Sequence, residues 1–133
     1  MSSKSEATKA HILGVARALF NELGTAAVST NRIAAEAGIS PGNLYYHFAD
    51  KQEIIRGLLA EMVASYGQGW STDAAADLTR LADSLRQGTE LAWCYRFFGR
   101  EMVALLRADP ELARLYSAAY TQRLAQWQAF GVR

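Results

Sequence analysis

Apolar residues recur along most of the chain at three- and four-residue steps, the period of an α-helix with one buried face. Ile12, Leu13, Ala16, Leu19, Phe20 and Leu23 form the first stripe, which predicts a helix from near Glu6 to Gly24. Gly24 stands where a helix ends on a left-handed residue. Ser29 or Thr30 opens a second helix that carries Ile33, Ala34 and Ala37 inward and stops at Gly38. Ser40 as N-cap and Pro41 in the first helical position open a short third helix through about His47. Asp50 with Glu53 resembles a capping box and starts a fourth helix, its inner face made of Ile54, Ile55, Leu58, Leu59, Met62, Val63 and Tyr66.

The pattern breaks at Gly67, Gly69, Ser71 and Thr72, where a module boundary is expected. A fifth helix then carries Leu78, Leu81, Ala82 and Leu85 on one side and is expected to end near Gly88. A sixth, over about residues 89–108, holds Leu91, Trp93, Tyr95, Phe98, Met102 and Leu106. Asp109-Pro110 is another cap-and-proline start, and a seventh helix follows with Leu112, Leu115, Tyr116, Ala119, Tyr120, Leu124 and Trp127. No stretch alternates with period two over a useful length, so the fold class is all-α.

Composition narrows the classes. Half of the 133 residues are apolar, and a chain of that size buries roughly two-thirds of its unfolded surface. The longest apolar runs are a few residues, far short of the ~20 a membrane-spanning helix needs. The polar start, Met1 to Glu6, has no secretory apolar core. One cysteine, Cys94, offers no internal disulfide, and His11 and His47 are too far apart for local metal spacing. These features predict a cytoplasmic protein with no membrane segment, cofactor or structural metal. The net charge is +1, with six Lys/Arg against five Asp/Glu in residues 1–56 and eight against eight in the remainder. Such a chain has no broad basic field, so any nucleic-acid affinity must come from a local arrangement of donors.

Thr30 to Ala49 contains such an arrangement. Two short helices that cross steeply need a small residue on the inner side of the first, a glycine at the turn and apolar residues around it. Ala34 supplies the first and Gly38 the second; Ile33, Ala37, Ile39 and Leu44 supply the rest. The second helix then presents Ser40, Gly42, Asn43, Tyr45, Tyr46 and His47 outward, as a recognition helix does in a major groove. A helix-turn-helix can also bind protein, but this face lacks the apolar patch a partner helix requires. For an enzyme there is no Gly-rich phosphate loop, no metal-ligand cluster and no nucleophile–base pair, so no catalytic residue is assigned.

Gly42-Asn43-Leu44-Tyr45-Tyr46-His47-Phe48 followed by Lys51, with Gly24, Ser29, Ala34, Gly38 and Leu58 around it, resembles the signature of the tetracycline-repressor (TetR) family over about residues 8–60. The resemblance implies a homodimeric repressor released from double-stranded operator DNA by a small ligand. Residues 1–50 would be the helix-turn-helix domain, about 51–66 a connecting helix and 67–133 a helical effector-binding and dimerisation domain. Carried over by position, Thr30, Tyr45 and Lys51 would contact phosphates. Asn31 and Ser40, Pro41, Gly42 and Asn43 would face base edges, with Tyr46 and His47 at the margin. Asn31 departs from the pattern, since members often have arginine there. Trp93-Cys94-Tyr95-Arg96-Phe97-Phe98, with Leu105-Leu106 and Asp109-Pro110, is similar to one effector-domain subfamily. Relatives continue through two further helices that build the dimer interface, so either the second domain is incomplete, which would leave apolar surface uncovered on its sixth and seventh helices, or the dimer is made differently.

The aromatic side chains admit two readings. Phe48 is expected in the core, and Tyr45 and Tyr46 at the DNA surface. Trp70, Trp93, Tyr95, Phe98, Tyr116 and Tyr120 either fill a core or line a pocket for a small apolar or aromatic effector, and both hold where a cavity is cut into a core. His47 is expected to hydrogen-bond within the domain, His11 to sit at a solvated boundary, and Cys94 to be a buried, inert thiol.

Overall fold

The computed structural model describes residues 3–68 and 78–129. Within them the chain forms α1 (Ser3–Leu23), α2 (Thr30–Ala37), α3 (Pro41–His47), α4 (Lys51–Gln68), α5 (Leu78–Cys94), α6 (Arg96–Ala108) and α7 (Pro110–Ala129). The expected boundary residues Gly69, Ser71 and Thr72 lie outside the described residues, as does Trp70; so does the side chain of Trp127.

Local chemistry accounts for the end of α1, both ends of α2 and the starts of α3 and α4. Gly24, at φ 84°, donates its N–H to Phe20 O at 2.9 Å, closing α1 with a left-handed cap. Gly38, at φ 74°, donates to Ala35 O while Ile39 donates to Ala34 O at 3.0 Å, the paired bonds of a Schellman motif. A side chain at either glycine would be forced into a conformation that L-residues rarely adopt. Ser29 Oγ accepts from Arg32 N and Ser40 Oγ from Asn43 N, each at 3.0 Å, so both serines cap as predicted. Asp50 accepts from Glu53 N at 2.9 Å at the start of α4.

One break falls elsewhere than expected. The fifth helix does not stop at Gly88 but runs on to Cys94, and the turn is at Tyr95. A glycine inside a helix costs only about 1 kcal/mol, and helical periodicity flanks this one on both sides. What stops the helix is a distant side chain. The Asn21 amide donates to Cys94 O at 2.7 Å and accepts from Phe97 N at 3.0 Å, satisfying the two backbone groups that the break exposes.

Ile12, Ala16 and Phe20 of α1, Ile33 of α2, Leu44 of α3 and Ile54 and Leu58 of α4 are fully buried. The same cluster continues into Tyr95, Phe97, Phe98 and Leu112, so the first four helices and the last three share one core. Phe20 and Phe97 meet across it with ring centroids 5.3 Å apart. At Gly57, α4 lies so near α1 that an added Cβ would fall 3.1 Å from Leu13 Cδ2. By contrast Leu78 and Leu85 of α5 and Val103 of α6 are half or more exposed.

Candidate nucleic-acid interface and effector cavity

α2 and α3 pack through buried Ile33, Ala34 and Leu44, and that crossing turns the start of α3 to solvent. Ser40, Pro41, Gly42 and Asn43 are all exposed there, and so is Asn31 on α2. Tyr46 is 82% exposed, its ring edge-on to His47 with centroids 5.0 Å apart. The Tyr45 and Thr30 hydroxyls lie 2.8 Å apart. One of the two donates to the other, which leaves one hydroxyl proton at this edge for an outside acceptor.

Lys51 is tied into the fold. Its ammonium donates to Thr25 O at 2.7 Å and to Val28 O at 3.0 Å, clamping α4 to the α1–α2 loop. Two of its three protons are thereby used, and one is left to reach outward. The histidines exchange the expected roles. Among the described residues His47 makes a ring contact with Tyr46 rather than a hydrogen bond. His11 Nε2 instead meets Ala37 O at 2.9 Å, capping a carbonyl at the end of α2.

The junction between the two halves is polar and bonded. Arg100 of α6 donates to Phe20 O and Asn21 O at the end of α1. Glu101 accepts from Thr25 N at 3.1 Å and from Thr25 Oγ at 2.6 Å, and Thr25 is buried. Arg56 of α4 grips Asp109, between α6 and α7, with two bonds of 2.7 and 2.9 Å. That guanidinium holds the Asp109 carboxyl below the ordinary carboxylate range, and the carboxylate in turn raises Arg56. Sequence reasoning missed Asn21, Arg56, Arg100 and Glu101, whose partners lie more than fifty positions away.

Between α4, α5, α6 and α7 lies a cavity of about 560 Å³. Leu59, Met62 and Val63 of α4, Phe98 and Met102 of α6, and Tyr116 and Tyr120 of α7 line it together with Tyr95. Phe98 and Tyr116 pack with centroids 6.0 Å apart, and Tyr116 stacks on Tyr120 at 6.5 Å. Burial, with Glu61 beside it, pushes the Tyr95 hydroxyl up. Four of the six expected pocket residues thus come together. Trp93 does not join them: it is 67% exposed, under the Arg96 guanidinium at 4.4 Å from its ring. Cys94 is also exposed, against the expectation of a buried thiol. Successive residues on a helix point about 100° apart, so neither Trp93 nor Tyr95 covers it. Among the described residues no helix is long and apolar enough to cross a membrane.

A crossed pair of short helices, capped at both starts and presenting a polar edge from a helical scaffold, defines a helix-turn-helix protein. Residues 12–58 match the family "Bacterial regulatory proteins, tetR family", and residues 58–131 match the family "Bacterial transcriptional repressor". The HTH-type transcriptional regulator UidR of Escherichia coli K12 is 34% identical over 61 residues, 46% of this chain and 31% of that protein. The HTH-type transcriptional repressor KstR2 of Rhodococcus jostii is 36% identical over 69 residues, 49% of this chain and 34% of that one. A crystal structure of a TetR-family transcriptional regulator from Marinobacter aquaeolei VT8 superposes with a TM-score of 0.79 at 34% identity, covering 95% of this chain and 61% of that one. This chain belongs to the TetR family of transcriptional regulators, and it spans about a third of the length of the curated relatives it matches.

Proposed function

We propose that the protein is a sequence-specific, operator-binding repressor that acts as a cytoplasmic homodimer and leaves DNA when a small apolar or aromatic ligand fills the cavity. One observation carries this reading. α6 lines the cavity with Phe98, Gly99 and Met102, and through Arg100 and Glu101 it holds the end of α1 and the loop before α2. A ligand that shifts α6 therefore acts on the element that seats the reading head, which gives it a route to bias the head between two states. The polar edge of α3 suits the DNA role: Asn43 offers an amide for adenine, while the Thr30–Tyr45 pair and Lys51 suit phosphate oxygens. No catalytic step is assigned.

The test is selection of DNA fragments from the source genome by the purified protein, followed by titration of the selected site. Asn43→Ala should relax preference at one base position, at a cost of about 1–3 kcal/mol against the preferred base. Unchanged affinity and unchanged base preference would remove α3 from the interface.

A further inference from the structure

Among the described residues the wall of the cavity is charged on one side only. Among its described lining residues Arg123 carries charge, and no carboxylate stands beside it in that wall. Its guanidinium carbon lies 3.8 Å from the centroid of the Tyr66 ring, and Tyr66 is itself fixed by a hydroxyl bond to Gly88 O at 3.4 Å. Stacking occupies the face of a guanidinium, while its N–H donors lie in the plane at its edge, in the fork that matches a carboxylate. The neighbouring acid on α4, Glu61, is engaged outside the lining, where it accepts from the Tyr95 hydroxyl at 3.3 Å. A cation entering this cavity would be drawn to aromatic faces but would meet a like charge at Arg123, whereas an anion would meet a pre-placed partner.

Resting on the reading of this cavity as the effector site, we infer that the effector is a small organic acid: an apolar, flat body seated against Phe98, Met102 and Tyr116, with one carboxylate on Arg123. A phosphate monoester fits less well, since it would bring up to two negative charges to one guanidinium.

Calorimetric titration of the chain with 2-naphthoate, its carboxamide and 2-naphthylmethylammonium tests this. The acid should bind at least about tenfold more tightly than the amide, and the ammonium most weakly. Arg123→Met should cost the acid about that tenfold and leave the amide within about twofold, while Arg123→Lys keeps part of the preference. Melting curves of both variants check that they fold, and if they do not, the acid-to-amide ratio in the unaltered chain decides. An amide or ammonium that binds as well as the acid overturns the inference and leaves the cavity an effector site. Failure of all three probes to bind overturns both.

Discussion

Ser40 works at two levels. Its Oγ accepts from Asn43 N, fixing the first turn of α3, and it stands exposed on the edge that would meet DNA. Ser40→Ala should cost about 1 kcal/mol of local helix stability. Because α3 has only seven residues, that loss should appear as weaker operator binding more than as a lower melting temperature; a large melting shift with unchanged binding would contradict it. This cap was legible in the sequence, like those at Ser29, Gly24 and Gly38, because each is a bond between near neighbours that one residue type makes best. His11 and Asn21 were not legible, for the opposite reason. Their partners are backbone carbonyls 26 and 73 positions away, and every residue has a carbonyl, so nothing in the partner's identity marks the contact. Four of the pocket residues were legible as aromatic positions on helical stripes. Trp93 falls off that stripe because the turn at Tyr95, between α5 and α6, resets the helical phase between Trp93 and Phe98.

At the scale of elements, α6 is the part that joins the first half of the chain to the second, packing on α1, α5 and α7. Its first turn is held by Asn21, its middle by Thr25, and its end by the Asp109 turn that Arg56 grips. Glu101→Ala would leave the N–H and hydroxyl of buried Thr25 without their acceptor, and urea unfolding should show a loss of about 1–3 kcal/mol. The Arg56–Asp109 pair gives a second prediction, with a sign. Asp109 has its folded pKa depressed by Arg56, so its contribution is complete above the unfolded value and is lost as pH falls through the folded one. The stabilising advantage of the native chain over Asp109→Asn should therefore hold at neutral pH and shrink below about pH 4. Glu111 is likewise depressed, chiefly by Arg114, and is present in both chains. A difference in melting temperature that stayed constant down to pH 2.5, roughly a unit below the usual carboxylate values, would show that the pair does not supply it.

For the whole molecule, the shared core decides what kind of binding to expect. Phe20 against Phe97, and Asn21 across the α5–α6 break, make the reading head one body with the helices behind it. In a dimer the helical parts would therefore set the distance between the two heads, which must be about 34–36 Å to reach successive major grooves on one face of the duplex. The net charge of +1 offers little general attraction to DNA, so on the proposed reading affinity would come from two correctly phased heads with a few phosphate contacts each. Linking the heads makes the second contact intramolecular, a gain on the order of 10²-fold or more that vanishes where geometry forbids it. Inserting about five base pairs between the half-sites turns the second groove to the opposite face, and about ten turn it back at a longer distance. The five-pair operator should bind no better than an isolated half-site, and so should the ten-pair one, because a rigid pair of heads cannot stretch by another helical turn. Affinity that recovers at ten pairs would mean that the heads move on a flexible tether, contrary to the continuous core; affinity insensitive to both insertions would mean that each chain binds alone. Titrations of the three operators and an isolated half-site at one salt concentration, with sedimentation of the free protein over the same concentration range, separate these outcomes.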